Sequence, residues 1–255
     1  MPSDVTLRAE PRGDLTVYPI EQARALGVDA FVTERFGGVS VEPFDSLNLA
    51  YHVDDNPGAV SENRRRVAEA IGVEVANLVT VRQVHGNTVL DAARATPSSE
   101  ADALTYESSD LAIAMLVADC LPLLLVDSSS KRFSVVHAGW RGLEAGIIAE
   151  ALKQFSNAES VYAFVGPSIS TKSYQVGPEV AVHFKHVPDA LWPDDGDRSR
   201  LDLRRVATSQ LLEAGVAEDR VEQSTQVTDG GEVFFSDRAQ RPCGRFGLVA
   251  RRLVA

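Results

Sequence analysis

A single α+β domain, a mixed β-sheet covered by helices, is the fold this sequence predicts. Three observations lead there. Short strand-like runs alternate with helix-like periodic segments, two neighbouring runs are spaced as a hairpin, and no repeat or long linker divides the 255 residues. A chain of this length can bury one large core, and its 44% hydrophobic and 24% charged residues are ordinary for a globular protein. The domain is read as spanning 1–255, with residues 1–14 as an N-terminal extension.

Taken in order, residues 30–33 form the first apolar, β-rich run, and 56–71 carry helical periodicity. A strand is expected over 78–84. Residues 111–117 are nearly all apolar, as in a strand buried on both faces, and lead into Ala118, Asp119 and Cys120. Strands follow at 121–126 and 133–137. The six residues 127–132 between them suit a hairpin, so the sheet is not wholly parallel. Helical patterns at 143–155, 179–184 and 203–214 and strands at 161–165 and 245–250 complete the pattern. Residues 186–200, dense in proline, glycine and aspartate, read as a surface loop.

With 36 acidic against 25 basic residues, the net charge of -11 repels polyanions, so nucleic acid is not expected as a partner. No apolar run approaches the roughly 18 to 20 residues that span a bilayer, and the N-terminus lacks a basic-then-apolar leader pattern. The expectation is a cytoplasmic protein without a membrane partner. In that reducing compartment the two cysteines, Cys120 and Cys243, need no disulfide.

Three donors fall at predicted strand ends beside glycine or proline: His85 before Gly86, Cys120 before Leu121 and Pro122, and His137 before Ala138 and Gly139. Strand ends are where a scaffold aims side chains into a pocket. Two imidazoles and a thiolate suit zinc or copper, and three protein ligands leave a fourth position open, as catalytic zinc sites do. The spacing matches no zinc-finger or metalloprotease signature, however, and Cys120 alone also reads as a small buried hydrophobe. Residue chemistry by itself leaves both readings open.

The strings RQVHGNTV, LVADCLPLLL, VVHAGWRG, VGPSIS with YQVG, and FGGVSVEPFDSLNLAYHVDDNP followed by ENRRR closely resemble the laccase-domain family. That family is named variously for multicopper polyphenol oxidoreductase, purine nucleoside phosphorylase and peptidoglycan-editing activities. The resemblance runs from Phe31 to Gly247. It implies zinc held by His85, Cys120 and His137, in a single domain of layered mixed β-sheets covered by helices, αββα-like. It also implies action on purine nucleosides: cleavage of adenosine, inosine, guanosine or methylthioadenosine with phosphate, and deamination of adenosine. By the same resemblance Arg64 is the expected phosphate contact and Asn48 lies near the pocket. Gln83 and Arg141 are read from their positions as further substrate contacts, Arg141 either facing a phosphate or pairing with an acid on the surface. The sequence departs from the family near its C-terminus, where Ser224, Thr225 and Phe235 to Ala239 replace a Cys-Thr pair and a Phe-Ser-Tyr-Arg-Arg string. Cys243 is taken as incidental.

The laccase name can be tested against ligand count. A multicopper oxidase needs many histidines, typically in His-X-His pairs, whereas this chain has His52, His85, His137, His183 and His186 and no such pair. A single copper at the His-Cys-His site would be metal substitution. Another route makes Cys120 a nucleophile with His137 as base and Asp119 or another carboxylate as orienter, as in a hydrolase editing a muramyl nucleotide precursor of the cell wall. The third alternative is a non-catalytic metal-binding partner of cell-wall machinery. Deamination would need its own solution, because the nucleobase-deaminase zinc signature is absent.

Overall fold

The computed structural model describes residues 2–254. The outermost residues of the expected domain, Met1 and Ala255, lie outside the described residues. Two mixed sheets face one another. The seven-stranded sheet runs, in spatial order, Ser3–Val5, Val221–Ser224, Val161–Val165, Leu121–Asp127, Phe133–Ala138, Ala103–Tyr106 and Val89–Asp91. The six-stranded sheet runs Glu10–Arg12, Leu15–Pro19, Val28–Thr33, Phe246–Arg252, Ala112–Val117 and Leu78–Val79. Helix Pro57–Ile71 covers the outside of the second sheet, and Ile147–Leu152 and Leu203–Glu213 cover the outside of the first.

This layering explains why the central strands are apolar without alternation. Side chains on a strand point to opposite faces at period two. In Leu121–Asp127, Leu121, Leu123 and Leu125 pack under the helices while Leu124 and Val126 pack between the sheets. In Ala112–Val117, Ile113, Met115 and Val117 face the inter-sheet core, and Ala112, Ala114 and Leu116 face helix Pro57–Ile71. Both faces are dry, so both alternating sets must be apolar.

The hairpin forms as expected, with Phe133 opposite Val126 and Ala138 opposite Leu121. Helix Pro57–Ile71 starts where Asn56 accepts from the Gly58 and Ala59 N–H groups and ends at Gly72, φ 78°. It buries Val60, Asn63, Val67 and Ile71 along one face.

Several boundaries differ. The expected helix over 143–155 starts earlier and is split into Trp140–Glu144 and Ile147–Leu152, because Gly146 takes a left-handed conformation, φ 81°. The strand expected over 78–84 shortens to Leu78–Val79, after which the chain leaves the sheet to deliver His85. Inside 186–200, Leu191–Pro193 pairs with Ser199–Leu201, joining Gln175–Val176 in a small third sheet. Residues 1–14 carry strands of both large sheets: Ser3–Val5 pairs with Val221–Ser224, and Glu10–Arg12 with Leu15–Pro19.

Candidate metal centre

His137 and Cys120 are brought together by hairpin register. Ala138 pairs with Leu121, so the next residues outward, Gly139 and Cys120, lie opposite one another just past the last rung. A Cβ on Gly139 would come within 2.9 Å of both Cys120 Sγ and His85 Cδ2, so only glycine leaves room for these two side chains to converge. His85 arrives from the segment after Leu78–Val79 in a left-handed conformation, φ 60°. The ligand atoms of His85, Cys120 and His137 all lie within 4.8 Å of one another, a group able to hold a metal ion.

Cys120 Sγ and His85 Nε2 stand 3.8 Å apart, a separation one ion spans with bonds of about 2.0–2.3 Å. His85 is exposed, Cys120 half-buried and His137 buried, so the group is open on one side. His137 Nδ1 lies 2.8 Å from Asp102 Oδ1, which leaves Nε2 for the cleft. This carboxylate behind a histidine is the usual support of an imidazole ligand. The residues therefore fit a metal with an open position.

Asp102 organises more than one ligand. Fully buried, it accepts from the backbone N–H groups of Val84 at 3.3 Å, His85 at 2.9 Å and Gly86 at 2.7 Å, and its carbonyl accepts from the His137 N–H at 2.7 Å. One side chain thus shapes the His85 loop and fixes the His137 ring. Burial would raise its carboxyl, but the bond from His137, that ring's charge and the Gly86 and His85 donors hold it below the ordinary carboxylate range. Desolvation would likewise push the Cys120 thiol up, and it is outweighed by the charge and hydrogen bond of His137 and then by His85, so the thiol moves down. Burial works against the His137 imidazolium, which Cys120 and Asp102 favour more strongly, so that group moves up. The thiolate is the form a metal or an electrophile meets.

Sequence reasoning proposed Asp119 or another carboxylate as the orienter; the carboxylate against the His137 ring is Asp102. Asp119 instead accepts from Thr228 Oγ1 at 2.6 Å, Ser236 Oγ at 2.7 Å and the Arg238 N–H at 2.7 Å. It ties the C-terminal loop to the residue before Cys120. That loop supplies Asp237, Arg238, Arg241 and Arg245 to a cleft of about 370 Å³, shared with His52, Gln83 and the three donors. These arginines were missed, although three of them within eight positions of irregular chain were a signal.

The expected substrate contacts divide. Gln83 lines the cleft, and its amide grips the main chain of Leu116 from both ends, at 2.7 and 2.9 Å. Asn48 is fully buried behind the cleft, bonded to Ala50 and Asp55, and it accepts from the Arg245 N–H at 2.9 Å. Its reach to the pocket is through Arg245. Arg64 does not line the cleft: it donates to Leu49 O and Thr80 Oγ1 and lies 4.4 Å over the Tyr51 ring. Burial lowers its pKa, as for a guanidinium engaged in packing. Arg141 is exposed, 4.3 Å over the Trp140 ring, outside the cleft lining. His183 faces Trp140 and Glu144 away from the donors. Cys243 is buried beneath Arg245.

The family model described as multi-copper polyphenol oxidoreductase laccase matches residues 29–252. The chain belongs to this laccase family. Relatives within reach of the laccase-family chain include a protein of Escherichia coli K12 named purine nucleoside phosphorylase YfiH, 37% identical over 86% of this chain and 91% of its own length. A purine nucleoside phosphorylase of Pseudomonas aeruginosa is 39% identical over 84% of this chain and 86% of its own. Among solved structures, the hypothetical protein YfiH of Bacillus licheniformis superposes with a TM-score of 0.88 at 27% identity, covering 96% of this chain and 98% of that one. YlmD of Geobacillus stearothermophilus gives 0.88 at 28% identity over 97% and 99%. No helix among the described residues is long and apolar enough to cross a membrane.

Proposed function

We propose that this chain is a zinc-dependent purine nucleoside phosphorylase that cleaves adenosine, inosine, guanosine or methylthioadenosine with phosphate, and that also deaminates adenosine. The observation that carries the reading is one cleft in which the His85, Cys120 and His137 donors share a wall with Arg238, Arg241 and Arg245. Relatives at 33–39% identity named purine nucleoside phosphorylases support it.

Cleaving the N-glycosidic bond builds positive charge on the sugar carbon while phosphate oxygen approaches it. A cluster of guanidiniums that holds a dianionic phosphate against the sugar face serves that step. Zinc held by His85, Cys120 and His137 would supply Lewis-acid polarisation and, for deamination, activation of water. Leu116, Val117 and Tyr174 offer the cleft's apolar and aromatic surface to a purine. Asp102 keeps both histidine ligands in place. With three histidines, His52, His85 and His137, in the cleft lining, the copper-dependent polyphenol reading lacks the ligands for a multinuclear centre.

A second reading has its own observation. Cys120, His137 and Asp102 form a thiol–imidazole–carboxylate relay, the arrangement of a cysteine hydrolase, which would suit editing of a muramyl precursor. One experiment separates the readings: metal per chain, and purine release from adenosine with phosphate, for wild type and Cys120→Ala. About one zinc per chain and released adenine, hypoxanthine or inosine, both lost in the variant, is the expected result. Metal-free protein whose Cys120 is alkylated rapidly would replace it with the hydrolase. Bound zinc with turnover on neither substrate would leave a metal-dependent binding partner.

A further inference from the structure

The arginines of the cleft are not equivalent. Arg238 is fastened by its backbone N–H to Asp119 and by its guanidinium to Gln175 O at 3.1 Å. Arg245 is fastened to the carbonyls of Cys243 and Gly244 at 2.9 and 3.0 Å, and its backbone N–H to Asn48. Arg241 is different: its guanidinium, on a side chain 77% exposed, pairs with the carboxylate of Asp237. The other oxygen of that carboxylate lies 3.1 Å from Arg245 Nη2. Asp237 therefore stands between two guanidiniums, in the lining of the cleft, where an oxyanion would be received.

Asp237 is not needed to hold the loop. Asp119 already fixes Ser236 and Arg238 on either side of it, and main-chain carbonyls already orient Arg245. We propose that Asp237 is a tethered competitor for the oxyanion: it occupies Arg241 and Arg245 in the resting cleft, yields them to a dianion such as hydrogen phosphate, and turns singly charged anions away. The physics is a contest of charge against tethering. A carboxylate four residues from its partner's backbone has an effective concentration in the millimolar range or above, so a weakly bound monoanion does not displace it. A dianion doubles the Coulomb attraction to the same two guanidiniums and adds forked hydrogen bonds. Asp237 is thus a specificity-determining residue of the site, set to favour phosphate over chloride or nitrate.

The test is calorimetric titration of the full-length protein as purified, with inorganic phosphate, in wild type, Asp237→Asn, Arg241→Gln and the double variant. Asp237→Asn is expected to bind phosphate about tenfold more tightly, and to let nitrate compete where wild type does not. Arg241→Gln is expected to bind it about tenfold more weakly, with the double variant between the two single variants because Arg245 is freed in it. Phosphate affinity unchanged or reduced in a folded Asp237→Asn, or unchanged in Arg241→Gln, overturns the proposal. Arg241 is exposed enough that its variant decides the matter even should Asp237→Asn unfold. The inference rests on the phosphate reading of the cleft, so purine release from adenosine is followed in parallel. Tighter phosphate binding in Asp237→Asn without purine release upholds the competitor and sinks the phosphorylase, whereas release with an unchanged KM for phosphate in that variant does the reverse.

Discussion

The two chemically distinct parts of the cleft are built by different means. Cys120 and His137 stand at the ends of the central hairpin, whose register sets the distance between them, and His85 comes from a loop held by Asp102. The arginines Arg238, Arg241 and Arg245 stand on a loop with no regular structure, pinned at Asp119 and Asn48 by side-chain hydrogen bonds. A part held by sheet register is stiff and depends on close packing. A part held by a few polar contacts can be altered one contact at a time. Mutations should therefore separate metal retention from anion binding.

The largest effect is expected at the packing contact. Gly139→Ala places a methyl 2.9 Å from Sγ of Cys120 and from the His85 ring, so both must shift. Metal affinity should fall roughly a thousandfold, for a loss of about 1–3 kcal/mol in fold stability. Zinc competition with a chromophoric chelator measures it; wild-type affinity would mean that the donors do not act together. Next comes Asp102→Asn, which keeps the shape but weakens the support of His137 and of the His85 loop. A drop of about 10–100-fold in metal affinity is expected, with the phosphate affinity of metal-loaded protein unchanged.

Asp119→Asn tests the other side of the comparison. Asparagine tolerates the left-handed conformation at this position, φ 81°, but is a poorer acceptor for three donors. Phosphate binding should weaken several-fold and stability fall by about 2 kcal/mol, while bound zinc per chain stays at the wild-type value. Loss of metal here would show that the two walls are one mechanical unit.

The smallest effect lies far from both. Asp127, at the turn of the central hairpin, is raised by burial but lowered further by hydrogen bonds from Ser130, Ser160 and Ser129, to about 2. A depressed carboxyl stabilises the fold above its unfolded pKa and loses that contribution as pH falls through the folded one. Wild type should lose about 2 kcal/mol between about pH 4 and pH 2 on this account. Asp127→Asn should remove the same amount at neutral pH and flatten that limb of a denaturation series, without touching metal or phosphate.

How much was legible follows the same division. Doubly buried strands such as Ala112–Val117 and Val161–Val165 announce themselves because each face must be apolar, and the helix after Asn56 because its cap and its buried face are local. The edge strand Ser3–Val5 and its neighbour Val221–Ser224 were not visible: a short strand lacks a distinctive composition, and its partner is far away in the chain. Asp102 was unreadable for a related reason. An acid beside Ala101 and Ala103 carries no mark of its own until three N–H groups and an imidazole close around it.

By itself the sequence determined the α+β plan and singled out His85, Cys120 and His137 as candidate donors, since strand periodicity and the rarity of cysteine and histidine are properties of nearby residues. Only the tertiary structure decided that Asp102 backs the histidines, that Arg64 lies outside the cleft lining, and that Arg238, Arg241 and Arg245 line it. Those are long-range pairings, from residue 102 to 137 and from 119 to 238, and a buried charge takes its role from the partner the fold brings to it.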